Sequence, residues 1–330
     1  MEVACIYTHN TVIRDSDYIA RLRAFVHKEY QIHADAITPA KRGYYGETWR
    51  LTAKGRAYFV KLDYLSRHQA LLQNSLPVVQ YLCDHGIDFI NRIVKTCNGA
   101  LSAFFETAVV GVFEWIDGVN VDNNDTKVFE YPMLCKVYPL TKPGFAIPTV
   151  RFSDDMATRS YEKWNRLKNT PGSTTCDTVL SVLEQHHAFF ANCAARLNRF
   201  ATFCQTNPSD LYFTHGDAGG NFLMGKEQNY FVDWDEMMYA PLERDLWVMG
   251  CHGWARELFA DTLRENNINY TIRLERLAFY CYHMFFLYLG EFLDDFAVHG
   301  ESERIEVYFN DGWIMERVAF ADTIEYSQPT

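Results

Sequence analysis

Two acids and an amide follow closely after short apolar segments in the stretch 211–247. An apolar run ends in His215-Gly216-Asp217, a glycine-rich loop leads to Asn221, and a second apolar segment, 230–232, ends in Asp233. Carboxylate and amide oxygens are hard ligands suited to a divalent metal ion, and a further carboxylate can act as a base. Short strands that end in tight turns hold such groups on rigid supports. The stretch therefore predicts a metal ion and a base at one site.

The bulk composition predicts a folded, acidic protein that does not bind nucleic acid. Of the 330 residues, 48% are hydrophobic and 15% are aromatic, enough for the core of one large or two medium domains. The formal net charge of −11 disfavours a nucleic-acid surface, and it is compatible with cationic partners or with solubility alone. Nine cysteines occur without CxxC pairs, which indicates reduced thiols in a cytoplasmic protein.

No segment is predicted to enter a membrane. Residues 1–17 lack a basic region followed by an apolar one, so we expect no signal peptide. The most apolar late segment, 277–293, contains His283, Gly290 and Glu291, and we expect a buried helix there. The expectation is a cytoplasmic protein with no membrane partner, either a monomer or a homodimer.

Two helices are predicted before the first long strands. Residues 16–30 have apolar positions at helical spacing, with Ser16 or Asp17 as the expected N-cap. Residues 65–83 are also predicted to be helical, with Pro77 at the first turn of a new helix.

A β-hairpin is predicted between these two helices. Residues 43–51 lead to the turn Lys54-Gly55, and 57–62 return as the second strand. Lys61 lies inside this apolar second strand. It either points to solvent from a half-exposed sheet or points into a cleft, where it would hold phosphate oxygens.

A boundary between two lobes is predicted after the next pair of strands. Residues 103–107 and 108–116 have the composition of buried strands, and Asp117-Gly118 ends the second one. The chain beyond is mainly helical. We therefore predict lobes at 1–113 and 114–330, with a hinge at about 111–118.

The second lobe is predicted to consist mainly of helices. The longest predicted helices span 177–203, 254–265, 269–299 and 301–321. His186 and His187 are adjacent in the first of these, so their side chains point about 100° apart and cannot readily chelate one ion. Glu291, Asp294 and Asp295 share one helical face, which is either a solvated surface or the lining of a pocket for an amine-bearing ligand.

The order of these parts resembles the protein-kinase-like fold, and most closely the aminoglycoside phosphotransferase family. The most specific segment is 229–247, where Asp233-Trp234-Asp235-Glu236 is followed by Ala240-Pro241-Leu242-Glu243-Arg244-Asp245-Leu246. This segment is similar to the spectinomycin phosphotransferase branch, as is the later Val318-Ala319-Phe320-Ala321. The resemblance implies an α+β, bilobal fold with a small β-rich nucleotide-binding lobe and a larger, mainly helical catalytic lobe.

The resemblance also implies an ATP-dependent phosphotransferase that uses Mg²⁺. Asp217 would accept the proton of the substrate hydroxyl, Asn221 and Asp233 would bind the metal ion, and Lys61 would hold phosphate oxygens. The backbone at Gly43 and Gly46 would approach the phosphates, and the hinge would contact the adenine ring through Glu114, Trp115 and Ile116. Backbone contacts of this kind do not distinguish ATP from GTP.

Further residues receive supporting or substrate roles by the same resemblance. His215 and Asp245 would hold the catalytic loop by hydrogen bonds, and Glu243 and Arg244 would form an ion pair beneath it. The acids near an amine-bearing substrate would be Asp235, Glu236, Glu291, Asp294 and Asp295.

The chain departs from the family pattern in two places. Three residues, rather than four, separate Asp217 from Asn221. In addition, no glutamate occurs between Lys61 and Phe105, where the fold normally supplies a helix glutamate to the strand lysine. Our alignment places Gln73 at that point; otherwise Asp63, Asp84 or another acid takes the place of the glutamate.

Several functions stay open at this point. The hydroxyl-bearing substrate is open: the acidic composition and the resemblance favour an aminoglycoside or aminocyclitol antibiotic, which bears amines, and the alternative is a choline-, homoserine- or sugar-like metabolite. A non-catalytic nucleotide-binding relative is a second hypothesis. A metal-dependent phosphoesterase is a third hypothesis. Its metal ligands would be His215, Asp217, Asp233 and Asp235, with His252 and His283 as the available further histidines.

Overall fold

The computed structural model describes residues 7–8, 11–12, 14–40, 46–121, 123–169, 174–300 and 302–325. By internal contacts the chain divides into two compact units. The first comprises Met1–Pro148 and Phe213–Tyr239, and the second comprises Thr149–Tyr212 and Ala240–Thr330. The predicted lobe boundary at about 111–118 stays a prediction.

The strands and the first three helices belong to the first unit or lie at its border. In chain order they are β1 Tyr7–Thr8, β2 Thr11–Val12, α1 Ser16–Tyr30, β3 Ala36–Pro39, β4 Glu47–Ala53, β5 Arg56–Asp63, α2 Ser66–Asp84, β6 Ala103–Phe105, β7 Ala108–Glu114, β8 Gly118–Asn120, α3 Lys127–Val137, β9 Tyr212–Thr214, β10 Phe222–Gly225, β11 Asn229–Phe231 and β12 Met238–Ala240.

A five-stranded antiparallel sheet, in the order β3-β4-β5-β7-β6, organises the first unit. The predicted hairpin β4–β5 is confirmed, with Lys54 and Gly55 in its turn at φ 49° and 76°. Positive φ at both positions matches the twist of a two-residue hairpin turn. Thr48 and Gly111 flank Lys61 on the two neighbouring strands.

Side-chain alternation along β5 gives the sheet two different faces. Val60 and Leu62 are buried in a core formed with α1, whose buried side chains are Tyr18, Leu22, Val26 and Tyr30. The residues between them, Phe59 and Lys61, therefore lie on the opposite face. On that face Leu72 and Leu76 of α2 form a second, smaller core cluster against the sheet.

Two details of the first helices differ from the prediction. The N-cap of α1 is Asp15, whose side chain accepts a hydrogen bond from Tyr18 N at 2.7 Å, and helix α1 begins at Ser16. Helix α2 is continuous through Pro77. A proline removes one N–H from the helix without ending it when the surrounding packing holds the turn, and the neighbouring Val78 and Val79 are buried.

A three-stranded antiparallel sheet, β11-β10-β8, carries the segment that includes Asn221 and Asp233. Phe222 pairs with Phe231, and both rings are fully buried. The bond from Phe231 N to Phe89 O, 2.8 Å long, ties this sheet to the chain that follows α2. The strand ends beside the two candidate metal ligands are therefore anchored on buried aromatic residues.

The second unit is built from helices. They are α4 Asp155–Lys168, α5 Thr174–Gln185, α6 His187–Thr206, α7 Glu243–Leu246, α8 Gly253–Glu265, α9 Leu274–His299, α10 Glu303–Tyr308 and α11 Gly312–Asp322. Helix α9 is central, because α4, α6 and α11 all pack against it. Buried aromatic residues of α9, such as Phe285 and Phe286, make ring contacts with their neighbours on the other helices.

Three predicted helices of this unit have different bounds in the structure. The helix predicted for 177–203 is two helices, separated at His186, whose ring stacks on Phe309 with centroids 4.2 Å apart. The helix predicted for 269–299 begins at Leu274. The last one is split because Asp311 caps a new helix by accepting a hydrogen bond from Trp313 N. Apolar periodicity continues across such breaks, so it does not reveal them.

No helix in the described part of the chain is both long and apolar enough to cross a membrane. The cysteines within that part are free thiols, of which Cys135, Cys176, Cys193, Cys204 and Cys281 are buried.

Candidate functional site

A cavity of about 440 Å³ lies within the first unit. Its volume falls in the range of small-molecule sites. Apolar and aromatic side chains line much of it, among them Phe59, Leu76, Phe113 and Leu223. Seven of the predicted site residues also line it: Lys61, Glu114, Trp115, Ile116, Asn221, Asp233 and Asp235.

The ammonium of Lys61 is held by two carboxylates in this cavity. Lys61 Nζ donates to Asp233 Oδ1 at 2.6 Å and to Asp235 Oδ2 at 2.5 Å. The Lys61 side chain is 14% exposed, that of Asp235 17% and that of Asp233 42%. Lys61 thus lies in the lining of the cavity with its ammonium paired to two acids, and its role toward phosphate oxygens stays a prediction.

The charges of these three groups influence one another. Burial alone would lower the pKa of Lys61, but the two carboxylates outweigh burial and hold this pKa above its usual value. Burial would raise the pKa of Asp233, and the Lys61 ammonium opposes it and holds the pKa below its usual range. Burial raises the pKa of Asp235 to about 6, opposed by Lys61 and reinforced by the charge of Asp233. One ammonium thus serves two carboxylates, which leaves the group of three with an excess of negative charge.

A short turn presents both carboxylates to Lys61. Asp233 has φ 61° and ψ 59°, a left-handed conformation, and a 3-10 turn follows over Trp234–Glu236. Trp234 is buried and donates from Nε1 to Phe231 O at 3.0 Å. Left-handed backbone is unfavourable for most side chains, although aspartate adopts it more readily than most. The buried indole therefore helps to hold a turn that brings its two neighbours to the cavity.

His215 packs against the same turn. Its ring is buried, with its centroid 4.5 Å from that of Trp234. Asp217 N donates to His215 Nδ1 at 3.3 Å, and His215 Nε2 lies 3.0 Å from Val232 O. These contacts are compatible with one tautomer, in which Nδ1 accepts and Nε2 donates. His215 thus links the backbone at Asp217 to the strand that leads to Asp233, and its role in supporting the catalytic loop stays a prediction.

The short loop from Asp217 to Asn221 is closed by a 3-10 turn over Gly219–Asn221. Asn221 Nδ2 donates to Asp217 O at 2.7 Å and to Asp217 Oδ2 at 2.9 Å. Asn120 Nδ2 donates to Gly220 O at 2.7 Å and so fixes the loop from the neighbouring strand. With three intervening residues, the loop still places Asn221 in the lining of the cavity beside Asp233. Asp217 itself is exposed at the end of the loop.

The predicted hinge residues lie at the cavity with two of their backbone donors already used. Glu114 N donates to Arg92 O at 2.8 Å, and Trp115 N donates to Ala57 O at 3.2 Å. The Trp115 ring lies 6.4 Å from that of Phe59 and donates from Nε1 to Asp117 Oδ1. These contacts hold Glu114 and Trp115 against the sheet, next to the aromatic lining of the cavity, and their role as a hinge stays a prediction.

Of the two predicted phosphate-loop glycines, Gly46 is described and Gly43 lies outside the described residues. A Cβ on Gly46 would stand 2.6 Å from Leu62 O, so the glycine allows the backbone of β5 to pass close by. Its predicted role toward phosphate stays a prediction.

Three more residues of the predicted catalytic-loop and substrate set are Glu236, Glu243 and Asp245. Glu236 is exposed, and Asp245 is buried in α7. Glu243 was expected to pair with Arg244; its observed partners are Arg273 N at 2.7 Å, the Tyr270 hydroxyl, and Arg276 Nη1 at 3.5 Å. These partners are distant in sequence, and pattern reasoning favoured the adjacent arginine because local pairs are the only ones it can propose.

The acidic face of α9 also makes ion pairs within the second unit. Asp294 Oδ2 accepts from Lys163 Nζ at 2.8 Å, and Lys163 also donates to Gly290 O. Asp295 Oδ2 lies 3.8 Å from Arg304 Nη1. At least part of the negative charge on Asp294 and Asp295 is thus matched inside the chain, and their role toward a substrate, like that of Glu291, stays a prediction.

Sequence reasoning missed three contributors to the site. The pairing of Asp235 with Lys61 joins residues 174 positions apart, and the contacts of Trp234 and Asn120 depend equally on tertiary structure. A signal was present for Trp234 alone, since an aromatic residue between two acids at a strand end is well placed to be buried.

One further group of potential metal ligands occurs among the described residues. Cys251, His252 and Glu316 have ligand atoms within 4.8 Å of one another. The group does not include Asn221 or Asp233, and its member His252 is one of the two further ligands of the phosphoesterase hypothesis.

Comparisons with known proteins identify the fold. No protein-family model matches the chain, and no curated protein matches it. Among solved structures, spectinomycin phosphotransferase APH(9)-Ia is similar with a TM-score of 0.75 and 17% identity, over 92% of this chain and 97% of that one. The choline kinase LicA from Streptococcus pneumoniae is similar with a TM-score of 0.60 and 13% identity, over 94% and 100%.

An aminoglycoside phosphotransferase from Alicyclobacillus acidocaldarius has a TM-score of 0.53 and 16% identity, over 90% of this chain and 93% of that one. The structural similarity establishes the fold. At identities this low it does not establish the activity, which has to be argued from the site. The chain has the α+β, protein-kinase-like fold of the aminoglycoside phosphotransferases, as the sequence predicted.

Proposed function

We propose that this protein transfers a phosphoryl group from Mg-ATP to a hydroxyl of a small molecule. The observation that carries the proposal is the convergence of Lys61, Asn221 and Asp233 on one cavity, with Asp217 hydrogen-bonded to Asn221. Phosphoryl transfer depends mainly on alignment and on neutralising the charge of the phosphates, and a lysine, two hard oxygen ligands and a carboxylate supply both.

The residues present suit a magnesium ion. Asp233 supplies a carboxylate that is 42% exposed, and Asn221 supplies an amide whose Nδ2 is used by Asp217, so that Oδ1 is the atom available to a cation. Magnesium prefers oxygen ligands and commonly binds through one or two protein groups plus phosphates. When bound, the ion would neutralise phosphate oxygens, and Lys61 would contact the same phosphates from the sheet.

Asp217 is the proposed base. Its carboxylate is exposed, and Asn221 holds one of its oxygens at 2.9 Å. No strong base is required, because the acceptor hydroxyl becomes acidic only as its bond to phosphorus forms. The acceptor would donate its proton to Asp217 Oδ1 while its oxygen forms the new bond to phosphorus and the bond to the nucleotide breaks.

The proposed position of the nucleotide base is the apolar end of the cavity. Phe59, Phe113 and Leu223 provide flat or apolar surface for an aromatic ring. Because Glu114 N and Trp115 N already donate to other carbonyls, Ile116 N is the hinge donor that remains for the ring. A single backbone donor serves adenine and guanine alike, so the proposal is ATP with GTP as an alternative donor.

The proposed acceptor is an aminoglycoside or aminocyclitol antibiotic. The formal net charge of −11 favours an amine-bearing molecule. The fold is similar to that of a spectinomycin phosphotransferase solved with ADP and spectinomycin, and to that of an amicoumacin kinase solved with AMP-PNP and Ca²⁺. The similarity to a choline kinase favours a small amine-bearing metabolite as the second candidate.

The test is mass spectrometry of a panel of antibiotics and metabolites incubated with the protein, Mg²⁺ and either ATP or GTP. We expect one panel member to gain the mass of a phosphoryl group, and we expect Asp217→Ala to yield no product. The matched control is Glu227→Gln, an exposed acid in the turn between β10 and β11. Tight nucleotide binding without turnover across the panel would indicate a non-catalytic relative, and phosphate release without any nucleotide would indicate a phosphoesterase.

A further inference from the structure

Lys61 has no acidic partner on helix α2, and we infer that Asp235 fills this place as the residue that positions the Lys61 ammonium. The catalytic consequence of this inference rests on the proposed function. The pairing itself does not, because it can be measured without any nucleotide.

The two carboxylates that hold Lys61 are not equivalent. Asp233 is 42% exposed, whereas Asp235 is 17% exposed, close to the 14% of Lys61 itself. A cation that enters the cavity therefore meets Asp233 first. Once Asp233 is engaged elsewhere, Asp235 is the carboxylate that still holds the ammonium, with the bond between Lys61 Nζ and Asp235 Oδ2 at 2.5 Å.

Helix α2 supplies no acid to the cavity. Its contributions to the lining are Ser75, Leu76 and Val79, none of which carries a charge. Gln73, the residue that alignment placed opposite the lysine, is exposed. Within the described chain, the hydrogen bonds of the Lys61 ammonium go to Asp233 and Asp235.

Asp63, which precedes α2, and Asp84, the last residue of α2, both have other hydrogen-bond partners. Asp63 is buried, and its Oδ1 accepts a hydrogen bond from Leu65 N at 3.0 Å just before α2 begins. Asp84 is exposed at the end of α2, and it accepts from Gln80 Nε2 at 2.8 Å. Asp235 is therefore the acid that the fold brings to the lysine.

A buried lysine needs such a partner for its position as well as for its charge. An ammonium removed from water requires hydrogen-bond acceptors of opposite charge. The lysine side chain also has four rotatable bonds, so without such a partner the ammonium would occupy several positions. Asp235 is itself fixed, because the preceding Trp234 is buried and hydrogen-bonded to Phe231 O. The turn that presents the metal ligand thus also sets the position of the lysine.

The first test is a double-mutant cycle on thermal stability without ligand. Asp235→Asn, Lys61→Met and the double variant are compared by calorimetry. With Lys61 present, Asp235→Asn removes a charge-assisted bond; in the Lys61→Met background, it removes the repulsion between two unpaired carboxylates. We expect the change in Tm caused by Asp235→Asn to be more favourable in the Lys61→Met background by at least about 2 °C. Equal changes in the two backgrounds would overturn the pairing.

The second test is the same cycle on turnover of ATP, with spectinomycin as the first acceptor. We expect Asp235→Asn to lower kcat about 100-fold when Lys61 is present, because small misplacements of a reacting group have effects of this size. The KM for ATP should change less than about 3-fold, and in the Lys61→Met background the same substitution should change kcat less than about 3-fold. Glu227→Gln is the control and should match the wild type.

The outcomes separate this inference from the proposed function. If the fold-loss of kcat in the double variant equals the product of the two single losses, Asp235 acts on the metal ion or the substrate instead of through Lys61. That result overturns the positioning role. If the wild type consumes no ATP with any acceptor, the proposed function fails, and the stability cycle alone decides whether Asp235 and Lys61 are partners.

Discussion

Asn221 Nδ2 donates to both the backbone oxygen and the Oδ2 of Asp217, at 2.7 and 2.9 Å. One amide thus closes the loop and orients the carboxylate at its start. Because the amide nitrogen is used within the loop, the amide oxygen is the group left for a cation. The proposed base and the proposed metal ligand are therefore linked by hydrogen bonds, and a substitution at one should change the orientation of the other.

Asp217→Ala should abolish phosphoryl transfer while nucleotide binding remains. A positioned base contributes about 10²–10⁴-fold, so we expect kcat to fall by at least about 10²-fold. Asp217 is not among the residues that line the cavity proposed for the nucleotide, and the Kd for Mg-ADP should stay within about 3-fold of the wild type by calorimetry. Surviving turnover with lost nucleotide binding would assign Asp217 to the nucleotide instead.

Asn221→Ala should raise the Mg²⁺ requirement as well as lower the rate. The substitution removes one proposed oxygen ligand and the two hydrogen bonds from Asn221 to Asp217, so both the metal affinity and the orientation of the proposed base should be weakened. We expect the Mg²⁺ concentration for half-maximal rate to rise about 10-fold, within the range seen when metal-site groups are removed. A titration of rate against Mg²⁺ measures this, and an unchanged midpoint with a reduced plateau would leave Asn221 as a support for Asp217 alone.

Two glycines of the same loop should respond differently to alanine. Gly216 has φ 85°, a left-handed conformation that is unfavourable with a Cβ, whereas a Cβ on Gly220 would meet no atom within 4 Å. We expect Gly216→Ala to cost about 1 kcal/mol of unfolding free energy and to lower activity. Gly220→Ala should be close to the wild type in both, which denaturant unfolding and the transfer assay can compare directly.

The comparison of sequence with structure shows which features short patterns carry. The hairpin around Lys54 and Gly55 was predictable because its turn needs residues that accept positive φ. Lys61, Asn221 and Asp233 were predictable as a set because their order along the chain matches a known fold, although their positions in space were not. Their convergence on one cavity is a tertiary result.

Other features depend on contacts that no local pattern encodes. The partner of Lys61 lies 174 residues away, on a turn whose geometry depends on the burial of Trp234. The break at His186 leaves the apolar periodicity intact, and the His186 ring stacks on Phe309, which directly follows α10 much later in the chain. Periodicity predicts which face of a helix or strand is buried, and it does not predict which distant residue packs on that face.

The second unit should lose stability on mild acidification because of His283. The Nδ1 of His283 is buried and, in the described part of the chain, has no hydrogen-bond partner. Burial, reinforced by the positive charges of Arg244 and Arg159 and opposed by Asp155, lowers the pKa of His283 to about 4. The unfolded chain has the ordinary histidine pKa near 6.5, so between pH 6.5 and 4 the unfolded state binds more protons than the folded state. The free energy of unfolding should therefore fall as the pH is lowered through this window.

His283→Gln removes this proton linkage and should flatten the acid side of the stability curve. The shift from about 6.5 to about 4 corresponds to roughly 3 kcal/mol of unfolding free energy at pH 4 and below, on top of whatever other groups contribute. Urea unfolding at pH 7 and about pH 4.5 measures the difference, with the exposed His187→Gln as the matched control. We expect the variant to lose less stability than the control between these two pH values. Equal losses would mean that His283 acquires a partner or solvent access in solution, and that its burial does not determine the acid sensitivity of the fold.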